Sequence, residues 1–312
     1  MDTTRADLDL IQALVLQRAK QRLTEEGLVE VSGIGPVDIN FESKIANCEI
    51  HLRNSNNTLP TREAIYTGNE TLQIVYRRSN IEPRPATMFA SGAKAISFPG
   101  RLRGGDACQN VAYRQFGTIA LTGNIRLEGV TYQEVALSCQ HVMYNSTTSA
   151  IESPRFGTCM NLYWAPSVPS QGKWTDVAVA TINNSSIHSP RRLRALGLIT
   201  GVRQPRAGMR VMKYGANSGL TVGRDKGLVW RALDNQNPSA LYLVRMVNGG
   251  SFVNFSGVGD SGAAVVDADR KLLGIILGGI PSNPIERWYL PVTPEGETPV
   301  DRDLSTFTLA LF

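Results

Sequence analysis

The run Val258-Gly259-Asp260-Ser261-Gly262-Ala263 places a serine between two glycines, just ahead of the apolar stretch Ala263 to Val266. A serine hydroxyl is a poor nucleophile at neutral pH. It attacks a carbonyl when an imidazole takes its proton and a carboxylate orients that imidazole. The flanking glycines let the backbone turn tightly and bring the amides of Gly259 and Ser261 toward one point, where they could hold the oxyanion of a tetrahedral intermediate. A glycine-rich turn before a strand is also common with no chemistry attached, so the motif needs partners.

The candidate bases are few, because the chain has three histidines. His141 follows the apolar run Val135-Ala136-Leu137 and the small residues Ser138-Cys139, where a strand ends and the chain turns. That is a rigid place to mount a base, although a lone half-buried histidine would read the same way. His51 lies in a strand-like segment and His188 in a polar one, and neither is as well placed. Asp176 opens Asp176-Val177-Ala178-Val179-Ala180, where an acid at the mouth of a small-apolar strand could be buried against an imidazole; an ordinary strand-entry aspartate is the plain alternative. The cysteines Cys48, Cys108, Cys139 and Cys159 form no CxxC pair, which argues against a disulfide scaffold and a zinc site and favours reduced thiols. Cys139 and Cys159 bracket His141 and could pair in an oxidising compartment. No metal or other cofactor is implied.

Taken together, the segments Ala136-Leu137-Ser138-Cys139-Gln140-His141-Val142, Asp176-Val177-Ala178-Val179 and Gly259-Asp260-Ser261-Gly262 resemble those of the chymotrypsin-fold, trypsin-like serine peptidases. They stand in that family's order, histidine, aspartate, serine, 35 and 85 residues apart. The stretch Val211-Met212-Lys213-Tyr214-Gly215-Ala216-Asn217-Ser218-Gly219-Leu220-Thr221-Val222-Gly223 resembles the opening of the second barrel in non-secreted bacterial members and plant proteins of the narrow-leaf type. The resemblance spans roughly residues 90–290. It implies His141 as general base and acid, Asp176 as its orienting carboxylate, Ser261 as nucleophile, and Gly259 with Ser261 as oxyanion donors. It also puts Phe255, six residues before the serine, near the base of the pocket for the side chain preceding the scissile bond, with Gly278 and Gly279 along its wall. With no acid there, the pocket is expected to prefer an apolar or small side chain. Secreted members are activated when a cleaved N-terminus pairs with the acid before the serine, here Asp260; a site formed constitutively or controlled by a partner fits this sequence better, with the Arg103-Gly104 bond as a candidate cleavage point.

These residues need a scaffold. Residues 5–27 place Leu8, Ile11, Leu14, Val15 and Leu23 near helical spacing, which predicts one amphipathic helix ended by Gly27. From Leu28 to about Glu82 short β-like pieces such as Lys44 to Leu52 and Thr71 to Tyr76 alternate with turns. Glu82-Pro83-Arg84-Pro85 reads as a linker, followed by short strands at Gly117 to Thr122, Val130 to Leu137, Val177 to Ile182, Leu241 to Val247, Ala263 to Val266 and Leu272 to Leu277. Such spacing suggests closed or nearly closed β architecture. The expected fold is mainly β: an N-terminal amphipathic helix over 1–28, a small accessory α/β or β region over 29–88, and two antiparallel β-barrels of chymotrypsin type. The first barrel, 89–190, carries His141 and Asp176; the second, 191–312, carries Ser261.

Composition fits a folded protein, with 42% apolar and 19% charged residues. No apolar run reaches the ~18–20 residues that span a bilayer, and the start lacks the layout of a secretory signal, so a cytoplasmic product is expected. The net charge of +5 is concentrated at Arg191-Arg192-Leu193-Arg194 with Arg203 and Arg206 nearby. We read this as a solvated linker between the barrels rather than a nucleic-acid surface. The expected activity is endopeptidase cleavage of a polypeptide substrate. The competing reading is a peptidase-fold binding or scaffolding protein that is silent or processes only itself, with the N-terminal region meeting a regulatory partner or a second copy.

Overall fold

A helix, α1 (Arg5–Glu25), opens the chain and is followed almost entirely by strands. The computed structural model describes residues 5–28, 31–53, 58–68, 70–79, 100–113, 116–166, 173, 175–232, 240–249, 254–279 and 286–312. The expected Glu82 to Pro85 linker lies outside these residues.

Ile11, Val15, Ala19 and Leu23 recur at four-residue spacing on α1 and are all buried. The helix stops where Gly27 takes a left-handed φ of 67°. There the Leu28 amide reaches back to the Leu23 carbonyl and the Gly27 amide to that of Thr24, satisfying the last turn. The apolar face of α1 packs on β1 (Val31–Asn40) and on the strand from Gly219 to Arg231.

Strand β1 pairs with β2 (Ile45–Leu52), and β4 (Thr71–Arg78) runs parallel to β2 and antiparallel to β3 (Arg62–Tyr66). The four strands share one run of pairing.

The next ladder carries the histidine and the aspartate. Its early pieces are β5 (Leu102–Gly104), β6 (Ala107–Asn110) and β7 (Gly117–Thr118). Then come β8 (Leu121–Leu127), β9 (Val130–Ser138), the short helix α2 (Gln140–Met143), β10 (Ala150–Ser153), β11 (Gly157–Trp164) and β12 (Ala178–Ile182). Antiparallel pairing runs β7-β6-β10-β11-β12-β9-β8. Inward residues such as Leu121, Val135, Leu137, Val179 and Met160 fill the interior.

The basic segment is a correction to the sequence reading. Rather than a solvated linker it contains a strand, β13 (His188–Leu193), parallel to β5 and paired with β14 (Gly197–Leu198). Arg194 is buried against the Asp106 carboxylate, and Arg203 bonds to Asp267 at 2.6 Å. These cations were read as free for solvent because their acids lie 88 and 64 residues away in sequence.

After β15 (Gly201–Val202), six strands close a second barrel: β16 (Arg210–Gly215), β17 (Gly219–Arg231), β18 (Tyr242–Gly249), β19 (Ala264–Val266), β20 (Lys271–Gly279) and β21 (Glu286–Pro294). The ring runs β16-β17-β18-β21-β20-β19 and back to β16. Val211, Val247, Val265, Leu273, Ile276 and Tyr289 pack inside it. The 13-residue β17 also pairs with β1 at its far end, Gly33 opposite Arg231. The final strand, β22 (Phe307–Leu311), bridges β21 and β8.

Among the described residues, no helix is long and apolar enough to cross a membrane.

Candidate active site

His141 sits in α2, one turn that begins where β9 ends, and Asp176 sits just before β12. Pairing of β9 with β12, with Ser138 opposite Ala178, carries the two to the same edge. There Asp176 makes two contacts with one residue. Its Oδ1 accepts the His141 backbone amide at 3.0 Å and its Oδ2 lies 2.5 Å from His141 Nδ1. A carboxylate accepts only, so the arrangement puts the ring proton on Nδ1 and leaves Nε2 as the basic nitrogen. Asp176 is 1% exposed, whereas the His141 side chain reaches the surface at 10%.

Ser261 follows the turn before β19. Its carbonyl accepts the Thr118 amide at 2.7 Å, and its Oγ donates to the Leu277 carbonyl at 3.2 Å. The next residue, Gly262, lies against the end of β9: a Cβ there would come 2.1 Å from Ser138 Oγ and 3.1 Å from the Cys139 amide nitrogen. Close approach and a φ of 88° both require glycine at this position. The backbone around Ser261 therefore abuts the segment that leads directly into His141.

Asp260 is turned inward and fully buried. Its carboxylate accepts from the amides of Asn217 and Ser218 at 3.1 Å and of Gly257 at 2.8 Å, and from the Ser218 hydroxyl. Lys213 Nζ lies 2.9 Å away and is equally buried. Burial pushes the Lys213 ammonium below the ordinary lysine range, and the Asp260 charge opposes that shift. This clamp fixes the turn from Gly257 to Ser261. On the other side of the turn, Thr118 Oγ1 donates to the Gly259 carbonyl at 2.8 Å.

No family model matches the chain, and no curated protein matches it. Solved structures do match. A glutamic acid-specific serine protease is 16% identical, with 61% of this chain and 93% of that one covered and a TM-score of 0.44. Cellulomonas bogoriensis chymotrypsin and Thermobifida fusca protease A are each 14% identical over 61% of this chain and 90% of theirs, with TM-scores of 0.42. The chain resembles the chymotrypsin-fold serine proteases. At these identities the likeness concerns the fold.

The Phe255 side chain is fully buried among Val211, Val247, Ala263 and Tyr289 inside the second barrel, with its carbonyl bonded by Thr221 Oγ1 at 2.5 Å. Its ring packs so closely on β17 that a Cβ at Gly223 would lie 2.7 Å from it. The Phe255 ring thus packs into the core cluster of the second barrel. Gly278 and Gly279 lie on β20 just beyond Leu277, opposite Trp288 and Arg287.

His51 and His188 hold other positions: His51 Nε2 contacts the Gly35 carbonyl at 3.2 Å and His188 Nε2 contacts Glu134 at 3.0 Å. All four cysteines are free and buried. Cys139, His141 and Asp176 bring donor atoms within 4.8 Å of one another, a grouping that could hold a metal ion. Burial, with the Asp176 charge adding to it, pushes the Cys139 thiol well up, and its Sγ bonds to the Ile276 carbonyl at 3.2 Å. A thiol that keeps its proton is a poor ligand.

Sequence reasoning did not identify Lys213 or Ser218. The available signal was a lysine at the inward phase of an alternating strand, Val211, Lys213 and Gly215 being the buried positions of β16.

Proposed function

We propose that the protein is a serine endopeptidase acting through Ser261, His141 and Asp176. The observation that carries this reading is the double contact of Asp176 with the backbone and ring of His141, a geometry that orients an imidazole for proton transfer. In the reaction, Ser261 Oγ leaves the Leu277 carbonyl by rotation about χ1, gives its proton to His141 Nε2 and attacks the scissile carbonyl. The amides of Gly259 and Ser261 donate to the oxyanion. Collapse of the tetrahedral intermediate breaks the C–N bond as His141 returns the proton to the departing amine. Water, deprotonated by the same imidazole, then releases the acyl group and restores Ser261.

Asp176 remains ionised throughout and stabilises the imidazolium that forms. The clamped Asp260 keeps the oxyanion donors in place before substrate arrives, so no reorganisation is spent at the reacting moment. Two units, 89–190 and 191–312, supply the base and the nucleophile respectively.

The test is reaction of the purified protein with a fluorophosphonate probe. Labelling at Ser261, confirmed by peptide mapping and lost in Ser261→Ala, is the expected result. Equal labelling of the variant would reject the assigned nucleophile.

A further inference from the structure

The outer face of the second barrel carries cations that the site at Ser261 does not use. Arg210 of β16, Arg224 of β17 and Asn248 of β18 are direct cross-strand neighbours in one row. Val211, Asp225 and Val247, next to them in sequence, are buried, so alternation along the strands turns the row outward. Arg210, Arg224 and Lys226 are exposed. With Asn248 and the backbone of Gly223 and Gly249 they line one open hollow of about 360 Å³, a volume at the small end of ligand pockets. Gly223 and Gly249 stand opposite each other in the same ladder and add no side chain to the lining.

Like charges directly opposite on neighbouring strands repel. Here Arg210 faces Arg224 with Lys226 beside them, and none of the three forms an ion pair among the described residues. Arg224 Nη1 donates to the Gly208 carbonyl at 3.0 Å, which positions the guanidinium and leaves its charge unneutralised. The nearby acids are committed or distant. Asp225, between Arg224 and Lys226, is turned into the barrel, where Arg245 and the Gly227 amide hold it. Glu286 of β21 continues the row beyond Asn248, two strands from Arg224, or about 10 Å at the usual strand spacing. Asn248 Oδ1 is removed from water without a hydrogen-bond partner among the described residues, and a turn of that amide presents its two N–H donors instead.

The partner that this arrangement lacks is an anion, and the lining narrows its class. At the hollow β17 and β18 are paired on both sides, so neither offers an edge on which an extended acidic peptide adds as a strand. Among the described residues no aromatic side chain lines it, and single-stranded nucleic acid depends on such stacking surfaces. Arginine forks match phosphoryl oxygens in pairs, and a phosphoryl chain gathers several negative charges in a small volume. We infer that this hollow is a binding site for a compact polyanion of phosphoryl groups, such as a di- or triphosphate chain. The site uses none of the residues of the peptidase reaction and stands independently of that reading.

Calorimetric titration of the full chain with sodium tripolyphosphate tests it. Saturable binding that weakens as salt rises is expected. Arg210→Gln and Lys226→Gln should each weaken binding roughly 10-fold, the scale of one charged hydrogen bond, and the two together should abolish it. Both side chains are exposed, so the variants should fold, with a denaturation midpoint no lower than that of wild type because each change relieves repulsion. Arg302→Gln alters a cation outside the hollow whose side chain is 87% exposed and should leave binding unchanged. A peptide with two adjacent phosphoserines separates the sources of the ligand. Tighter binding than tripolyphosphate, with the same sensitivity to Arg210→Gln, makes the ligand a phosphorylated protein segment; weaker binding makes it a free polyphosphate. Absence of saturable binding by both calorimetry and thermal shift, or equal weakening by Arg302→Gln, overturns the site. Tighter binding of a poly-glutamate peptide or a DNA duplex, lost in the same variants, overturns the phosphoryl assignment.

Discussion

Lys213 Nζ lies 2.9 Å from Asp260 Oδ2, and both side chains are completely removed from solvent. Asp260 sits one residue before the proposed nucleophile, so the integrity of the pair and the order of the turn from Gly257 to Ser261 are linked. Two buried charges separated from water are costly, and the cost is offset here by the amides of Asn217, Ser218 and Gly257 on the acid. Lys213→Met leaves Asp260 buried without its counter-ion. We expect a loss of about 3–5 kcal/mol in stability and a fall of roughly 100-fold in Ser261 labelling rate, the scale of a lost oxyanion donor. Chemical denaturation and labelling kinetics measure the two effects separately.

The same pair predicts an alkaline limb. The protonated ammonium holds Asp260, and burial lowers its pKa. The charged form is therefore present below that lowered value and lost as pH rises through it, so Ser261 labelling should decline at a lower pH than an ordinary lysine would set. Stability moves the opposite way: between the folded and unfolded values the unfolded chain binds more protons, so the Lys213 contribution to stability rises with pH. Activity falling without a parallel loss of fold, and a limb abolished by Lys213→Arg, is the expected pattern. A labelling limb that persists unchanged in Lys213→Arg would remove Lys213 from its explanation.

Asp176→Asn should preserve the fold and strip His141 of its orienting acceptor. An amide at this position favours the wrong ring tautomer, and such a change costs about 10⁴-fold in kcat elsewhere in this chemistry. KM should change far less than kcat, because Asp176 contacts the imidazole and not the substrate. Steady-state kinetics on a cleaved peptide measures that split, and circular dichroism separates it from a general loss of folding, which would lower the active fraction and likewise leave KM unchanged.

The proposed site was legible in sequence where its chemistry is local. Gly259 to Gly262 and the small-residue approach to His141 could be read because tight turns and strand ends leave marks in adjacent residues. Strand runs such as Val130 to Leu137 and Leu272 to Leu277 showed for the same reason, and the helix terminus at Gly27 was explicit. What could not be read were pairings across long separations. Arg194 finds Asp106, Lys213 finds Asp260, and Arg287 finds the Ser256 carbonyl only after strands have been brought into register. A charged residue with a distant partner looks like a solvated one. The orientation of Phe255 was lost in a related way: spacing from Ser261 fixed its position along the chain, but not which side of the barrel wall its ring would occupy.

Asp9 gives the last test, of what holds the N-terminal helix. It is 2% exposed, accepts from Arg245 Nη2 at 2.9 Å and caps the Ala207 amide at 3.2 Å. Arg245 in turn is bound by Asp225 at 2.8 Å, on the barrel strand next to its own. The helix is thus tied by charge to the second barrel in addition to its apolar packing. Asp9→Ala removes one of two acids from a buried arginine. The loss should be smaller than that for an isolated pair, because Asp225 remains; about 2–3 kcal/mol follows from removing a charged hydrogen bond. Leu10→Ser, one residue on, alters a side chain 53% exposed and should fall within ~0.5 kcal/mol of wild type. Hydrogen exchange should show faster opening of Arg5–Glu25 in Asp9→Ala, with β16 to β21 protected as before. If the barrel strands lose protection together with the helix, the helix and barrel form one cooperative unit and the network is part of the site's support.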